Sequence, residues 1–105
     1  MTKSEILAIL KSDLEIAQGT TSKDDLLNNL IEVSLGAIAR EGITLSDPYT
    51  VEEGMLVEMY AAFLYRKRRE IAKNTKYETI GAMPHSLRYM LNNMLLQQKA
   101  RLIDG

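Results

Sequence analysis

Apolar residues recur every three or four positions along most of the chain, which is the period of an α-helix rather than of a strand. The first such segment opens with Thr2 and Glu5 at capping-box spacing and continues to Ala17. A second begins at Ser22, with Asp25 three residues on at the same spacing, and ends at Gly42, where a glycine that terminates a helix is expected. The pattern predicts a short amphipathic helix followed by a more apolar helix in the centre of the core.

The second half of the chain predicts two further helices. Thr50 and Glu53 repeat the capping-box spacing, and neither glycine nor proline interrupts residues 55–75, which allows a helix of about 20 residues or more. Residues 74–83 have no clear period and predict a connecting loop, and Pro84 suits the first turn of a last helix. We therefore predict an all-α fold, a small bundle of about four helices with a long third helix and a proline-led C-terminal helix. Residues 1–105 form a single domain in this prediction.

Composition narrows the classes of function. The chain has 105 residues, of which 46% are hydrophobic and 26% charged, and no apolar run approaches the roughly 20 residues of a membrane span. It has no cysteine and a single histidine, which excludes disulfides, thiolate metal sites and histidine clusters. The first residues lead into a charged helix rather than an apolar signal core, so we expect a cytoplasmic origin and no membrane partner.

The net charge of −1 conceals a division along the chain. Residues 1–58 hold eleven acidic and four basic side chains, a net charge of −7. Residues 59–105 hold three acidic and nine basic side chains, a net charge of +6. Such an asymmetry within one small domain indicates a dipolar surface that meets another surface.

No group of residues predicts catalysis. His85 has no cysteine, second histidine or acidic pair near it in the sequence, and a structural or interface role is the better interpretation. The acidic pairs Asp24-Asp25 and Glu52-Glu53 lie in predicted first helical turns, where capping and the helix dipole explain them. Neither a glycine-rich phosphate loop nor a serine elbow is present. We expect no enzymatic activity, no cofactor and no metal.

The most concentrated charge is the run Arg66-Lys67-Arg68-Arg69, with Lys73 and Lys76 beyond it. It has two interpretations: a solvated helix end, where cations are favourable, or a contact to phosphate or to an acidic protein surface. Four consecutive residues on a helix point in different directions, about 100° apart, so one of them must lean toward the core side. Arg68 or Arg69 is therefore expected to be buried against a partner.

The order of these elements, together with three short motifs, resembles the small all-helical head-tail connector proteins of tailed bacteriophages, also called adaptor or DNA-packaging connector proteins. The end of the long helix, residues 61–70, is similar to the family's apolar run that closes in a tyrosine with an arginine three residues on, here Tyr65 and Arg68. Residues 83–87, with Leu91 following, are similar to the family's proline-led helix after a variable loop. The opening of the second helix, residues 24–27, is similar to the family's acidic entry.

The resemblance implies a structural protein of a phage or prophage that takes part in DNA packaging and virion assembly. Such a protein is made in the bacterial host cytoplasm and located at the head-tail interface of the virion. It assembles as a ring of about a dozen subunits under the portal protein, extends the DNA channel, and provides the docking surface for head-closure or tail-completion proteins. Contact with packaged DNA is then non-specific, and isolated subunits are expected to be monomers.

Neighbouring subunits in such a ring are expected to meet through the acidic first half of one and the basic second half of the next. The expected interface residues all lie around the end of the third helix and the start of the fourth: Tyr65, Arg66, Lys67, Arg68, Arg69, Lys73, Pro84, His85 and Arg88. The loop of residues 74–83 is expected to become ordered only on assembly, because it is polar and weakly patterned.

An alternative from another class is a small helical nucleic-acid-binding or regulatory interaction module that uses the basic run 66–69. The sequence pI near 5.8 and the scarcity of aromatic residues beside the run count against nucleic-acid binding. A host-directed regulator of a mobile element remains open from the sequence.

Overall fold

This structure, a computed structural model, describes residues 1–73 and 83–104, the side chains of residues 69–73 and 102–104 excepted. Within these ranges it contains four helices and no strand: α1 (Lys3–Asp13), α2 (Asp24–Arg40), α3 (Val51–Lys73) and α4 (His85–Asp104). The all-α prediction is confirmed, including the long third helix and a last helix that starts directly after Pro84. The expectation about the loop 74–83 falls on residues that lie, except Met83, outside the described residues.

Three helices form the main packing unit, and α2 lies against both α1 and α3. The chain folds back from α1 to α2, since Lys3 pairs with Glu32 at one end and Lys11 with Asp24 at the other. In contrast, α1 runs parallel to α3, since Met1 lies against Gly54 and Asp13 reaches Arg66. The fourth helix packs on α3 and on the end of α2, where Gln98 exchanges two hydrogen bonds with the Thr44 backbone at 2.8 and 2.7 Å.

The core is built from the apolar stripes that the sequence pattern predicts. All four helices contribute fully buried side chains, and their removal from water is the main stabilising term of the fold. The largest are Ile6, Leu10, Leu27, Ile31, Ile38, Leu56, Val57, Leu87 and Leu91. One apolar side chain of α2, Val33, is 53% exposed, so this central helix still has one face in solvent.

Of the three predicted capping boxes, those at Thr2 and Thr50 are present, and the one at Ser22 is absent. At the start of α1, the Glu5 N–H donates to the Thr2 hydroxyl and the Thr2 N–H donates to the Glu5 carboxylate. At the start of α3, the Thr50 N–H donates to Glu53 Oε1 at 2.9 Å, and the Ser46 hydroxyl donates to the same oxygen at 2.6 Å. Burial raises the pKa of Glu53, but the hydrogen bonds from Ser46 and Thr50 outweigh it and lower the pKa overall.

The prediction that α1 continues to Ala17 is wrong, because the helix ends at Asp13. Glu15 has a φ of 60°, in the left-handed region, and the N–H groups of Glu15 and Ile16 bond back to the carbonyls of Ser12 and Lys11. This is a Schellman motif with glutamate in the position that glycine usually occupies. Because the sequence has no glycine at this position to mark the end of the helix, the apolar period continues beyond the residue at which α1 ends.

The second helix begins two residues later than predicted. Lys23 occupies the N-cap position, and no side chain caps the helix. Asp24, in the first turn, instead places its carboxylate 2.9 Å from the ammonium of Lys11. The start of α2 is therefore fixed by an ion pair to α1 rather than by a local cap. Its end agrees with prediction, since Gly42 has a φ of 97° and closes a second Schellman motif.

Lys11 is buried, with 2% of its surface exposed. Its ammonium donates to the carbonyls of Gln18 at 3.0 Å and Thr20 at 2.6 Å, and its third neighbour is Asp24 Oδ1. Two hydrogen bonds to carbonyl oxygens and one ion pair thus surround the ammonium, which offsets the cost of taking the charge out of water. The loop between α1 and α2 wraps around this one group.

We predict that Lys11→Met destabilises the protein by about 2–4 kcal/mol, because the substitution keeps the apolar stem but removes the cation that two carbonyls and the Asp24 carboxylate face. Chemical denaturation followed by circular dichroism measures the free energy of unfolding. Lys3→Met is the matched control: Lys3 pairs with Glu32 at an exposed site, and its loss should change stability little. Equal effects of the two substitutions would contradict this assignment.

Candidate interaction surface

The basic end of α3 follows the last described contacts of this helix with the preceding part of the chain. Among the described contacts of α3 with α1 and with Lys23 just before α2, the most C-terminal ones involve Tyr65 and Arg66. The helix continues to Lys73, which adds seven residues, or about 10 Å at the α-helical rise. The basic run therefore starts where the described contacts between α3 and the preceding part of the chain end.

Tyr65 is buried at this end of the helix and is not part of the exposed surface. It is 6% exposed, and its hydroxyl accepts a hydrogen bond from the Lys23 ammonium at 2.9 Å. The ammonium lies 5.5 Å from the ring centre, so it sits beyond the hydroxyl edge and not over the ring face. The contact joins the start of α2 to α3 one residue before the basic run.

Arg66 belongs to a small polar cluster between α1 and α3. Its guanidinium donates to Asp13 Oδ1 at 3.1 Å, and the carboxyl group of Asp13 also hydrogen-bonds to Glu58, which is 3% exposed. Burial, and then the Asp13 carboxylate, raise the pKa of Glu58 to about 8. The hydrogen bond from Glu58 and the nearby Arg66 lower the pKa of Asp13, against the effect of burial. Near neutral pH the two carboxyl groups therefore share a proton, held mainly by Glu58.

The remaining residues of the basic run have different surroundings. The Lys67 ammonium lies 5.7 Å from the ring centre of Phe63, one helical turn back, while Arg68 is exposed. The side chains of Arg69 and Lys73 lie outside the described residues. Arg68 is not buried by its own chain, and its burial against a partner stays a prediction.

The start of α4 carries the other expected interface residues. Pro84 and His85 are exposed, and Arg88 reaches back to Glu41 at the end of α2, 3.1 Å away. His85, Arg88 and the 68% exposed Tyr89 line a shallow depression of about 540 Å³. The structure therefore gives this region an aromatic and basic surface, and one of its cations is already paired within the chain.

The charge division along the sequence is partly neutralised inside the molecule. Arg66 with Asp13 and Arg88 with Glu41 each join a base of the second half to an acid of the first half. Asp13, Lys23 and Asp24 also lie at the same end of the bundle as the basic run. Sequence reasoning treated the two halves as separate surfaces and missed these contacts, since it had no means of placing the start of α2 beside Tyr65.

A groove of about 940 Å³ lies at the opposite end of α3 from the basic run. It is bounded by the first residues of the chain, the end of α2 and the loop before α3, and its lining is mainly apolar, with Leu35, Ile43, Leu45 and Pro48. The loop is held in place by the backbone of Met1, which exchanges hydrogen bonds with Tyr49. The lining offers apolar contact and few charged groups.

Glu58 is the polar residue that the sequence could have revealed. It lies four residues after Gly54, three residues before Ala61 and seven residues before Tyr65. These three residues are all buried, so Glu58 shares their side of the helix. A carboxylate in such a core-facing register is costly unless it is protonated or paired. The helical period alone therefore contained a signal for the cluster with Asp13, although not the identity of its partner.

We predict that Glu58→Gln stabilises the protein above neutral pH and flattens its pH dependence. The neutral carboxyl of Glu58 is favoured in the folded state, so its contribution is complete below about pH 4.5 and is lost as pH rises toward 8. The free energy of unfolding of the unmodified chain should fall across this window, by up to about 1 kcal/mol per pH unit. The glutamine amide keeps a donor for Asp13 and does not titrate.

Denaturation between pH 5 and pH 9 measures the effect, with the exposed Glu52→Gln as the control that should keep the original slope. Identical slopes for Glu58→Gln and the unmodified chain would exclude the proton-sharing pair.

Two further findings concern the described part of the chain. No group of three or more histidine, cysteine, aspartate or glutamate side chains there is placed to hold a metal ion. None of the described helices combines the length and apolar character needed to cross a bilayer.

Comparison with known proteins finds no match to a family model, a curated protein or a solved structure. Proposals about function therefore depend on the residues of this chain.

Proposed function

We propose that this chain is a structural head-tail connector of a tailed phage or prophage, which assembles as a ring under the portal and extends the DNA channel. One observation supports the proposal above all: the two residues that match the family motif differ in burial. Tyr65 is buried and hydrogen-bonded to Lys23, whereas Arg68, one turn on, is exposed. A rigid anchor followed by an exposed cation suits a helix end that presents charge to a neighbouring molecule.

The distribution of charge along α3 supports a head-to-tail contact. Its first turn carries the exposed Glu52, and its basic run begins some fourteen residues later, about 20 Å away along the axis. Opposite charges at opposite ends of one rigid helix allow the same contact to repeat from subunit to subunit. Heterologous contacts of this kind form a closed ring when the rotation from one subunit to the next is a whole-number fraction of a full turn.

In this proposal the chain has no catalytic residue and no cofactor. Its partners are further copies of itself, the portal protein, and a head-closure or tail-completion protein. Arg68, with Lys67 beside it, is the contact group of the basic end, while Arg66 and Arg88 orient their surroundings through Asp13 and Glu41. Packaged DNA passes the ring without sequence-specific contacts.

The decisive test is electron microscopy of the purified chain mixed with filled heads of the phage or prophage that encodes it. We expect ring density beneath the portal. Lys67→Gln with Arg68→Gln should lower the occupancy of the ring at least about tenfold, because long-range attraction and the contact itself are both weakened. Lys99→Gln with Arg101→Gln removes the same charge from exposed positions of α4 and is the matched control.

The same variants distinguish the connector from the alternative, a nucleic-acid-binding module. Binding of the isolated chain to duplex DNA that weakens with salt and disappears in Lys67→Gln with Arg68→Gln would favour that alternative. Absence of density beneath the portal, under conditions in which the heads remain filled, would contradict the connector proposal.

A further inference from the structure

The outward face of α3 carries a stripe whose sequence is symmetric about its centre. The stripe consists of Glu52, Met55, Met59, Phe63 and Arg66, separated by three, four, four and three residues. At 3.6 residues per turn these five side chains fall within an arc of about 80° on one side of the helix. The residues at its two ends have opposite charge, and the three between them are apolar.

This stripe is accessible in the folded chain. Met55 is 37% exposed, Met59 and Phe63 are half-buried, Glu52 is exposed, and the Arg66 side chain is 55% exposed. Buried residues border the stripe on both sides, since Leu56 lies about 20° beyond Phe63 and Ala62 about 20° beyond Met55 around the helix axis. Met55, Met59 and Phe63 thus keep part of their surface uncovered by the described part of the chain.

The symmetry of the stripe indicates that a second copy of the same helix can bind to it. When a second α3 is laid antiparallel on the stripe with Met59 facing Met59, Met55 faces Phe63 of the second copy, and Glu52 faces Arg66 at both ends. A parallel second copy would place Glu52 against Glu52 and Arg66 against Arg66, which is repulsive. Charge complementarity thus selects a second copy in the antiparallel orientation.

Arg66 can take part in this contact without leaving Asp13. Its guanidinium has several N–H donors in a planar fork, and one of them is used for Asp13 Oδ1 at 3.1 Å. The pair is exposed, so the other donors can reach a carboxylate of a second copy. The methionines suit such a contact, because their unbranched side chains adapt to the surface that they meet.

We propose that two copies of this chain pair through the Glu52–Arg66 stripe of α3, antiparallel and related by a two-fold axis at Met59. The contact is isologous, so it differs from the head-to-tail contacts of a ring and describes the free protein. It involves few side chains and is therefore a weak, concentration-dependent association rather than an obligate dimer. The proposal does not depend on the connector function.

Single cysteines test the geometry directly, because the chain has none of its own. Under mild oxidation Met59→Cys should form a disulfide-linked dimer, since residue 59 faces itself on the axis. A mixture of Met55→Cys and Phe63→Cys should form the mixed dimer in preference to either homodimer. Leu96→Cys on α4, where residue 96 is 63% exposed, is the control for random collision and should cross-link at least about tenfold more slowly.

Sedimentation of the unmodified chain from about 10 µM to about 1 mM should show a rise from monomer toward dimer mass. Glu52→Arg, which faces two arginines against each other, should weaken the association at least about tenfold, whereas Asp25→Arg at an exposed site of α2 should not. Circular dichroism verifies that each variant is folded. A constant monomer mass, or cross-linking of Met59→Cys no faster than that of Leu96→Cys, would overturn the proposal and leave the connector proposal untouched.

Discussion

The buried ammonium of Lys11 determines how the first two helices are joined, and much of the remaining structure follows from it. The loop between α1 and α2 has no regular secondary structure, and its carbonyls of Gln18 and Thr20 turn inward to the ammonium. The same charge fixes Asp24 at the start of α2. Lys23, the residue before Asp24, donates to the Tyr65 hydroxyl directly before the basic run of α3. The buried charge in α1 is thus linked, through neighbouring residues, to a surface that is more than 50 residues away in sequence.

The charges of the chain serve two different purposes, which only the folded structure separates. Arg66 and Arg88 hold helices together, since each pairs with an acid of the first half of the same chain. Arg68 and Glu52 are exposed and are available to other molecules. Part of the surplus of +6 in the second half is therefore paired with acids of the first half. Exposed charge of opposite sign remains at the two ends of α3.

Sequence reasoning succeeded where structure is determined locally. The capping boxes at Thr2 and Thr50 and the terminating Gly42 depend on residues within a few positions of one another, and all three are present. It failed at the end of α1, where Glu15 adopts a left-handed conformation without glycine, and at the start of α2, where a contact to Lys11 replaces a cap. The cluster of Asp13 and Glu58 was missed for the same reason, because its members come from different helices.

The parallel arrangement of α1 and α3 has a consequence for the order of folding. Met1 contacts Tyr49, and Asp13 contacts Arg66, so the partners are 48 and 53 residues apart in sequence. The hairpin of α2 and α3 needs only the short loop between them and can form first, since closing a short loop costs less chain entropy. The first helix is too short to be stable alone in water. The first helix, although it is synthesised before α2 and α3, is therefore expected to acquire its structure only after the third helix has formed.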